Sequence, residues 1–118
     1  MKVLLVDDNP DITELLSKFL KAKGHENIVA NDPLDGLEKI KNTHFDIIFL
    51  DVQMPGLSGL DIIQELEIEN ILREQNIIIF SSNDFTSSEV DNLLKKQGIA
   101  ACLKKPIQLR DILTVMVR

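Results

Sequence analysis

The sequence predicts a doubly wound α/β domain, a parallel sheet with helices on both faces, and three observations lead there. Four apolar clusters, Val3–Val6, Ile47–Leu50, Ile77–Phe80 and Ile99–Leu103, lack the polar alternation of half-exposed strands. They therefore read as strands buried on both sides. Segments with helical spacing separate them, and the β-α order repeats five times, the pattern of a parallel sheet with crossover helices. The chain has 118 residues, enough for one core and not for two.

Taken in order, Val3–Val6 is the first strand, and the first helix follows with Ile12, Leu15, Leu16, Phe19 and Leu20 on an i, i+3, i+4 stripe. Asn9-Pro10 supplies a cap with proline at the first helical position, and Gly24 closes the helix. Asn27–Ala30 has fewer apolar residues and reads as an edge strand. A short helix spans about Leu34–Lys41, and Ile47–Leu50 is the third strand. The third helix covers Gly59–Ile68, with Ile62, Ile63 and Leu66 inward. Within Glu67–Asn76, Ile68, Ile71 and Leu72 either prolong that helix or form an extra turn. Ile77–Phe80 is the fourth strand, and a fourth helix over Ser88–Gln97 stops at Gly98. After Ile99–Leu103, the fifth helix starts near Leu109 and presents Leu109, Ile112, Leu113 and Met116 as its stripe. That stripe leaves Ile107, Val115 and Val117 to the surface, where several apolar side chains on one short helix mark a contact site.

Composition removes several function classes. Lys plus Arg is 13 and Asp plus Glu is 19, a net charge of −6. Such a chain repels phosphate backbones, so no direct nucleic-acid binding is expected. The longest apolar run, Ile99–Leu103, is far short of the roughly 20 residues of a membrane span. The segment Met1–Val6 meets an acidic pair without a signal-peptide core. The single cysteine, Cys102, allows no disulfide within the chain and fits a reducing compartment. A single cytoplasmic domain over 1–118, without an output domain, is the expectation.

In doubly wound sheets the working residues collect at the carboxyl ends of the strands. Here those ends carry Asp7-Asp8, Asp51, Ser81-Ser82 and Lys104-Lys105-Pro106. A strand-end Asp alone usually caps a helix, and a Ser-Ser pair alone is usually loop. Polar residues at four equivalent ends are a joint pattern. Three clustered carboxylates need a counter-charge, and Mg²⁺ suits one or two carboxylates plus waters and a phosphoryl oxygen. A lysine on the same rim would hold a phosphoryl group as a point charge, and a carboxylate can accept one as nucleophile. The rim reads as a phosphoryl-accepting site.

Four motifs stand in order at these ends: Val6-Asp7-Asp8-Asn9, Leu50-Asp51-Val52-Gln53-Met54-Pro55-Gly56-Leu57-Ser58-Gly59, Ile79-Phe80-Ser81-Ser82, and Leu103-Lys104-Lys105-Pro106. With them the chain resembles, from Lys2 to about Met116, the receiver domain of two-component response regulators, typified by the single-domain chemotaxis regulator. The resemblance implies a flavodoxin-like doubly wound (βα)5 fold with a parallel five-stranded sheet of order 2-1-3-4-5. It implies Asp51 as phosphoacceptor, and Asp8, Asp7, Asp51 and the backbone carbonyl of Gln53 as ligands of Mg²⁺, with Mn²⁺ as an alternative metal. It implies Ser81 as the switch hydroxyl, Lys105 as the phosphoryl-binding lysine, and a cis bond before Pro106. Lys104 reads as a solvated strand residue. Gln53 and Asn83 match the positions that flank the path of the hydrolytic water and tune dephosphorylation.

The implied partners are a sensor histidine kinase or phosphotransfer protein, and a downstream protein on the face of the fourth helix, fifth strand and fifth helix. The implied state is a monomer or a weak phosphorylation-dependent dimer. Cys102 stands where the family usually has an aromatic switch residue, and its apolar neighbours make it a small buried hydrophobe. His25 and His44 read as surface residues, and Met54-Pro55 as turn.

Other readings of the rim fare worse. A phosphohydrolase of the haloacid dehalogenase type needs an acid two residues after the nucleophile, where Gln53 stands. A flavodoxin-like cofactor module needs a phosphate loop after the first strand and aromatic rings, whereas the chain has Asp7-Asp8 there and no Trp or Tyr. A degenerate receiver would lack some of the functional residues, and all are filled with competent types. A phosphorelay intermediate or a phosphate sink is the main alternative to a switch.

Overall fold

The computed structural model describes residues 1–54, 56–81 and 86–116. Its elements run β1 (Lys2–Val6), α1 (Pro10–Ala22), β2 (Glu26–Ala30), α2 (Pro33–Asn42), β3 (Ile47–Asp51), α3 (Gly59–Ile68), a 3-10 turn (Leu72–Glu74), β4 (Ile77–Ser81), α4 (Ser87–Leu94), β5 (Ile99–Lys104) and α5 (Leu109–Met116). The five strands form one sheet of order β2-β1-β3-β4-β5, and every pair is parallel. This is the doubly wound order expected.

Period-two alternation of strand side chains divides the core into two layers. Leu4, Val6, Ile48, Leu50, Ile77 and Ile79 face α2 and α3, where they meet Ile40, Ile62, Ile63 and Leu66. Val3, Leu5, Ile47, Phe49, Ile78 and Phe80 face α1 and α5, where they meet Leu16, Leu20, Ile112, Val115 and Met116. Phe49 and Phe80 stack at 5.5 Å between centroids in this second layer. Both faces of β1, β3 and β4 are covered, so their sequences are apolar from Val3 to Val6, Ile47 to Leu50 and Ile77 to Phe80. At the sheet edge, Asn27, Ile28 and Val29 of β2 are only half-buried.

Helix starts follow local chemistry. Asn9 caps α1 by accepting from the Asp11 amide, with Pro10 at the first position. Asp32 caps α2 through the Leu34 and Asp35 amides. Ser58 and Asp61 form a reciprocal capping box on α3. Thr86 caps α4.

Several expectations are corrected. Leu15 is 57 % exposed, because the inward stripe of α1 runs Thr13, Leu16, Leu20 rather than through Leu15. Val115 is buried, because α5 turns Ile112, Val115 and Met116 toward the sheet and leaves Leu109 and Leu113 half-buried. Val115 therefore belongs to the core and not to a contact surface; Val117 lies outside the described residues. Helix α4 ends at Leu94 rather than Gln97. Helix α3 spans Gly59–Ile68 as expected, and of the two readings of Glu67–Asn76 the extra turn is the one found: Ile68 is 71 % exposed, and Asn70 adopts φ 62° and breaks the helical path. Ile71 and Leu72 then return to the core as the extra turn. Met54 is buried in the α2/α3 layer rather than being only a turn residue. Cys102 is half-buried against that same layer.

Candidate functional site

Four strand ends deliver polar groups to the carboxyl rim of the sheet. Asp7 follows β1, Asp51 is the last residue of β3, Ser81 the last of β4, and Lys105 follows β5. Asp7, Asp51 and Ser81 are buried, Asp8 is exposed, and Lys105 is partly buried. The backbone holds them in place. The Asp7 amide donates to the Ala30 carbonyl at 3.1 Å, and the Lys105 amide donates to the Ser81 carbonyl at 2.8 Å. The Lys105-Pro106 peptide bond is cis.

One carboxylate oxygen each from Asp7, Asp8 and Asp51 lies within 4.8 Å of the other two. Asp51 is gripped at both oxygens: Oδ1 accepts from the Gln53 amide at 3.1 Å, and Oδ2 meets Lys105 Nζ at 3.1 Å. Asp7 Oδ1 accepts from the Asn9 amide at 3.0 Å. Its Oδ2 is buried without a hydrogen bond among the described residues, and Lys105 Nζ reaches only to 3.6 Å. Orphaned buried carboxylate oxygens are costly, and an Oδ2 beside two further carboxylates is a donor atom open to a cation. The residues present thus fit a hard divalent metal with oxygen ligands.

Burial is the main force on Asp7. With the negative charges of Asp51 and Asp8 it outweighs the Asn9 amide and Lys105, and lifts the carboxyl from its ordinary 3.8 to about 6. Burial also acts against the charge of Lys105, yet the hydrogen bond to Asp51 and the attraction of Asp7 and Asp51 overcome it and raise its ammonium pKa. The lysine is a permanent cation at neutral pH.

The Asp7 shift has a consequence for stability. The charged form is penalised in the folded state, so this group is neutral and harmless below its unfolded value, and its penalty grows as pH rises through about 6. Asp7→Asn keeps the oxygen that accepts from Asn9 and removes the charge. In metal-free buffer it is expected to stabilise the domain by on the order of 1–3 kcal/mol at pH 7.5, with the gain gone below pH 4. Urea titrations across that pH range check this; a gain independent of pH would refute the electrostatic cause.

Other predicted residues fall as follows. Gln53 is exposed beside Asp51. Lys104 is exposed on β5. Ser81, Ser87, Val90, Asp91, Cys102 and Lys104 line a cavity of about 270 Å³ between α4 and β5. His25 and His44 lie at the opposite end of the sheet, near Met1 and Asp46 respectively. Asn83, Ser82 and Pro55 lie outside the described residues. Two residues that no motif contained also reach the rim: Asn31 Nδ2 lies 2.8 Å from the Asp7 carbonyl and 2.9 Å from Thr13 Oγ1. The available signal was a polar Thr13 on the buried stripe of α1.

Residues 3–117 match the family model described as the response regulator receiver domain. This chain belongs to that family. Receiver domains are signalling domains that act through phosphorylation. This receiver domain is 32 % identical over 114 residues to the transcriptional regulatory protein CpxR homolog of Haemophilus influenzae, covering 95 % of this chain and 47 % of that protein. It spans about half or less of the length of that and two other curated relatives it matches. Among solved structures, chemotaxis protein CheY4 of Vibrio cholerae superposes on the receiver domain with a TM-score of 0.83 at 29 % identity, covering 99 % of this chain and 96 % of that one. Response regulator protein TrrA of Thermotoga maritima, solved in complex with Mg²⁺-BeF, gives 0.79 at 26 % identity, covering 98 % and 96 %. No helix among the described residues of the receiver domain is long and apolar enough to cross a membrane.

Proposed function

We propose that this receiver domain takes a phosphoryl group from a phosphohistidine, on a sensor histidine kinase or a phosphotransfer protein, onto Asp51, and signals through its α4–β5–α5 face. The observation that carries the reading is the Asp51 carboxylate, buried at the end of β3, paired with Lys105, and flanked by two further carboxylates with one orphaned oxygen.

Asp7, Asp8, Asp51 and the Gln53 carbonyl would hold Mg²⁺, or Mn²⁺ in its place. When bound, the metal supplies positive charge that offsets the acidic cluster and the phosphoryl oxygens. The protein's own groups do the rest. A carboxylate oxygen of Asp51 forms the new bond to phosphorus while the phosphorus–nitrogen bond of the donor breaks, its electron pair returning to the imidazole. Lys105 holds the phosphoryl oxygens as a point charge. The Ser81 hydroxyl donates to the same group. Gln53 and Asn83 border the approach of the hydrolytic water and set the lifetime of the acyl phosphate.

In this reading residues 1–118 are one receiver domain, acting in the cytoplasm as a monomer or weak phosphorylation-dependent dimer, without direct contact to nucleic acid or membrane. A relay or sink role is the second reading, favoured by one observation. Cys102, and not a ring, lines the cavity between α4 and β5 from the strand position where the family's aromatic would carry the signal.

Intact mass after incubation with a small phosphodonor is the test. A gain of one phosphoryl group is expected with Mg²⁺ and none with a chelator. No gain at saturating Mg²⁺ would overturn the proposal.

A further inference from the structure

Asp8 is the exposed member of the acidic cluster, and among the described residues no hydrogen bond or ion pair fixes its carboxylate. Its place is set by the backbone turn that carries it, residues 7 to 10. That turn is held at both ends by one chain of hydrogen bonds arriving from outside it. The side-chain amide of Asn31, just after β2, donates to the Asp7 carbonyl at 2.8 Å and to Thr13 Oγ1 at 2.9 Å. Thr13 Oγ1 in turn donates to the Pro10 carbonyl at 3.2 Å. The two protons of one amide thus tie the carbonyl before Asp8 to a hydroxyl that grips the carbonyl two residues after it.

Thr13 is 3 % exposed and stands on the apolar stripe of α1 with Leu16 and Leu20. A threonine in such a position could satisfy its hydroxyl on the preceding turn of its own helix alone. Here the hydroxyl also accepts from Asn31, and so couples the start of α1 to the end of β2. Partners that orient a metal ligand from behind affect affinity without touching the metal.

We propose that Asn31 and Thr13 are positioning residues for metal binding, fixing the 7–10 turn so that Asp8 faces Asp7 and Asp51. This rests on the reading of those three carboxylates as the Mg²⁺ site. Deleting either link leaves the ligands in place and loosens the frame that aims Asp8.

The test is Mg²⁺ titration followed by amide chemical shifts, on the native protein and on Thr13→Val, Thr13→Ser and Asn31→Ala, with thermal melts alongside. Valine keeps the buried shape of threonine without the hydroxyl, and serine keeps the hydroxyl. Thr13→Val and Asn31→Ala are expected to bind Mg²⁺ about tenfold more weakly, and Thr13→Ser within about twofold of native. Amide exchange at residues 8 and 9 should quicken in the two weakened variants and not in Thr13→Ser. Unchanged Mg²⁺ affinity in folded Thr13→Val and Asn31→Ala, whatever their melting temperatures, would overturn the inference and leave the functional reading standing. Should Thr13→Val fail to fold, Asn31→Ala, at an exposed position, decides alone. Absence of saturable Mg²⁺ shifts near residues 7, 8 and 51 in the native protein would overturn both.

Discussion

Asp8→Ala is expected to abolish phosphoryl uptake at Mg²⁺ concentrations that saturate the native protein, while the fold survives intact. The two halves of this expectation have separate causes. Asp8 is exposed, and its carboxylate makes no hydrogen bond or ion pair among the described residues, so its removal costs no internal contact. Its charge repels Asp7, adding to the burial that already pushes the Asp7 carboxyl upward. Losing that charge should leave the metal-free domain as stable as native, or more so. In the proposed role Asp8 is the most solvent-accessible carboxylate of the metal site, and few other protein ligands remain to hold Mg²⁺, which already keeps several waters. Paired thermal melts and phosphorylation time courses measure both halves. An Asp8→Ala protein that takes phosphate at the native rate would remove Asp8 from the site.

Gly59→Ala is expected to destabilise the domain by about 3 kcal/mol, lowering the melting temperature by on the order of 10 °C. Gly59 is the first residue of α3, and its amide donates to the Val52 carbonyl at 3.2 Å. A methyl group there would run into the Asp51 carbonyl oxygen and come within 2.7 Å of the Val52 Cα. Both are backbone atoms of the segment that carries the acceptor, and neither can swing aside as a side chain would. Relief requires that α3 lift away or that the end of β3 shift. Either movement disturbs the grip of the Gln53 amide on Asp51. The variant should therefore lose phosphoryl uptake beyond what its lower stability explains at 10 °C. As a control, Leu60→Ala, at a partly exposed neighbouring position, should change stability by less than about 1 kcal/mol. Equal melting temperatures for Gly59→Ala and native protein would show that the close approach of α3 to β3 is not tight.

The parts of the fold that the sequence shows most plainly are those whose environment is uniform. β1, β3 and β4 are buried on both faces, so apart from Lys2 at one end of β1 and the site residues Asp51 and Ser81 every residue is apolar and no alternation can mislead. The polar strand ends are legible for the same reason, since each follows directly on an apolar run. Helix faces are harder where two overlapping stripes are available. In α5 the stripe 109, 112, 113, 116 and the stripe 112, 115, 116 share two members, and period alone does not choose between them; packing against Phe49, Ile78 and Phe80 does. In α1 the adjacent Leu15 and Leu16 fit the same stripe, and the rotation that buries polar Thr13 turns Leu15 outward. That rotation is linked to the Asn31 amide, a contact across 18 residues. No local pattern encodes such a contact; the sequence offers only a polar Thr13 within the apolar stripe of α1, and its partner Asn31 comes to light in three dimensions. The bounds of α3 are legible, but whether Ile71 and Leu72 prolong it is not, because an asparagine at φ 62° stops the helix without any glycine or proline to announce it.

The central claim, that Asp51 is the phosphoryl acceptor, is tested most directly by locating the label. Native protein treated with a small phosphodonor and Mg²⁺ is digested, and the phosphorylated peptide is identified together with the acid stability of the bond. The expected result is one labile acyl phosphate on the peptide containing Asp51, and no label on Asp51→Asn, whose amide keeps the shape but lacks the nucleophile. An acid-stable phosphate on Ser81 or Ser82, or undiminished labelling of Asp51→Asn, would contradict it.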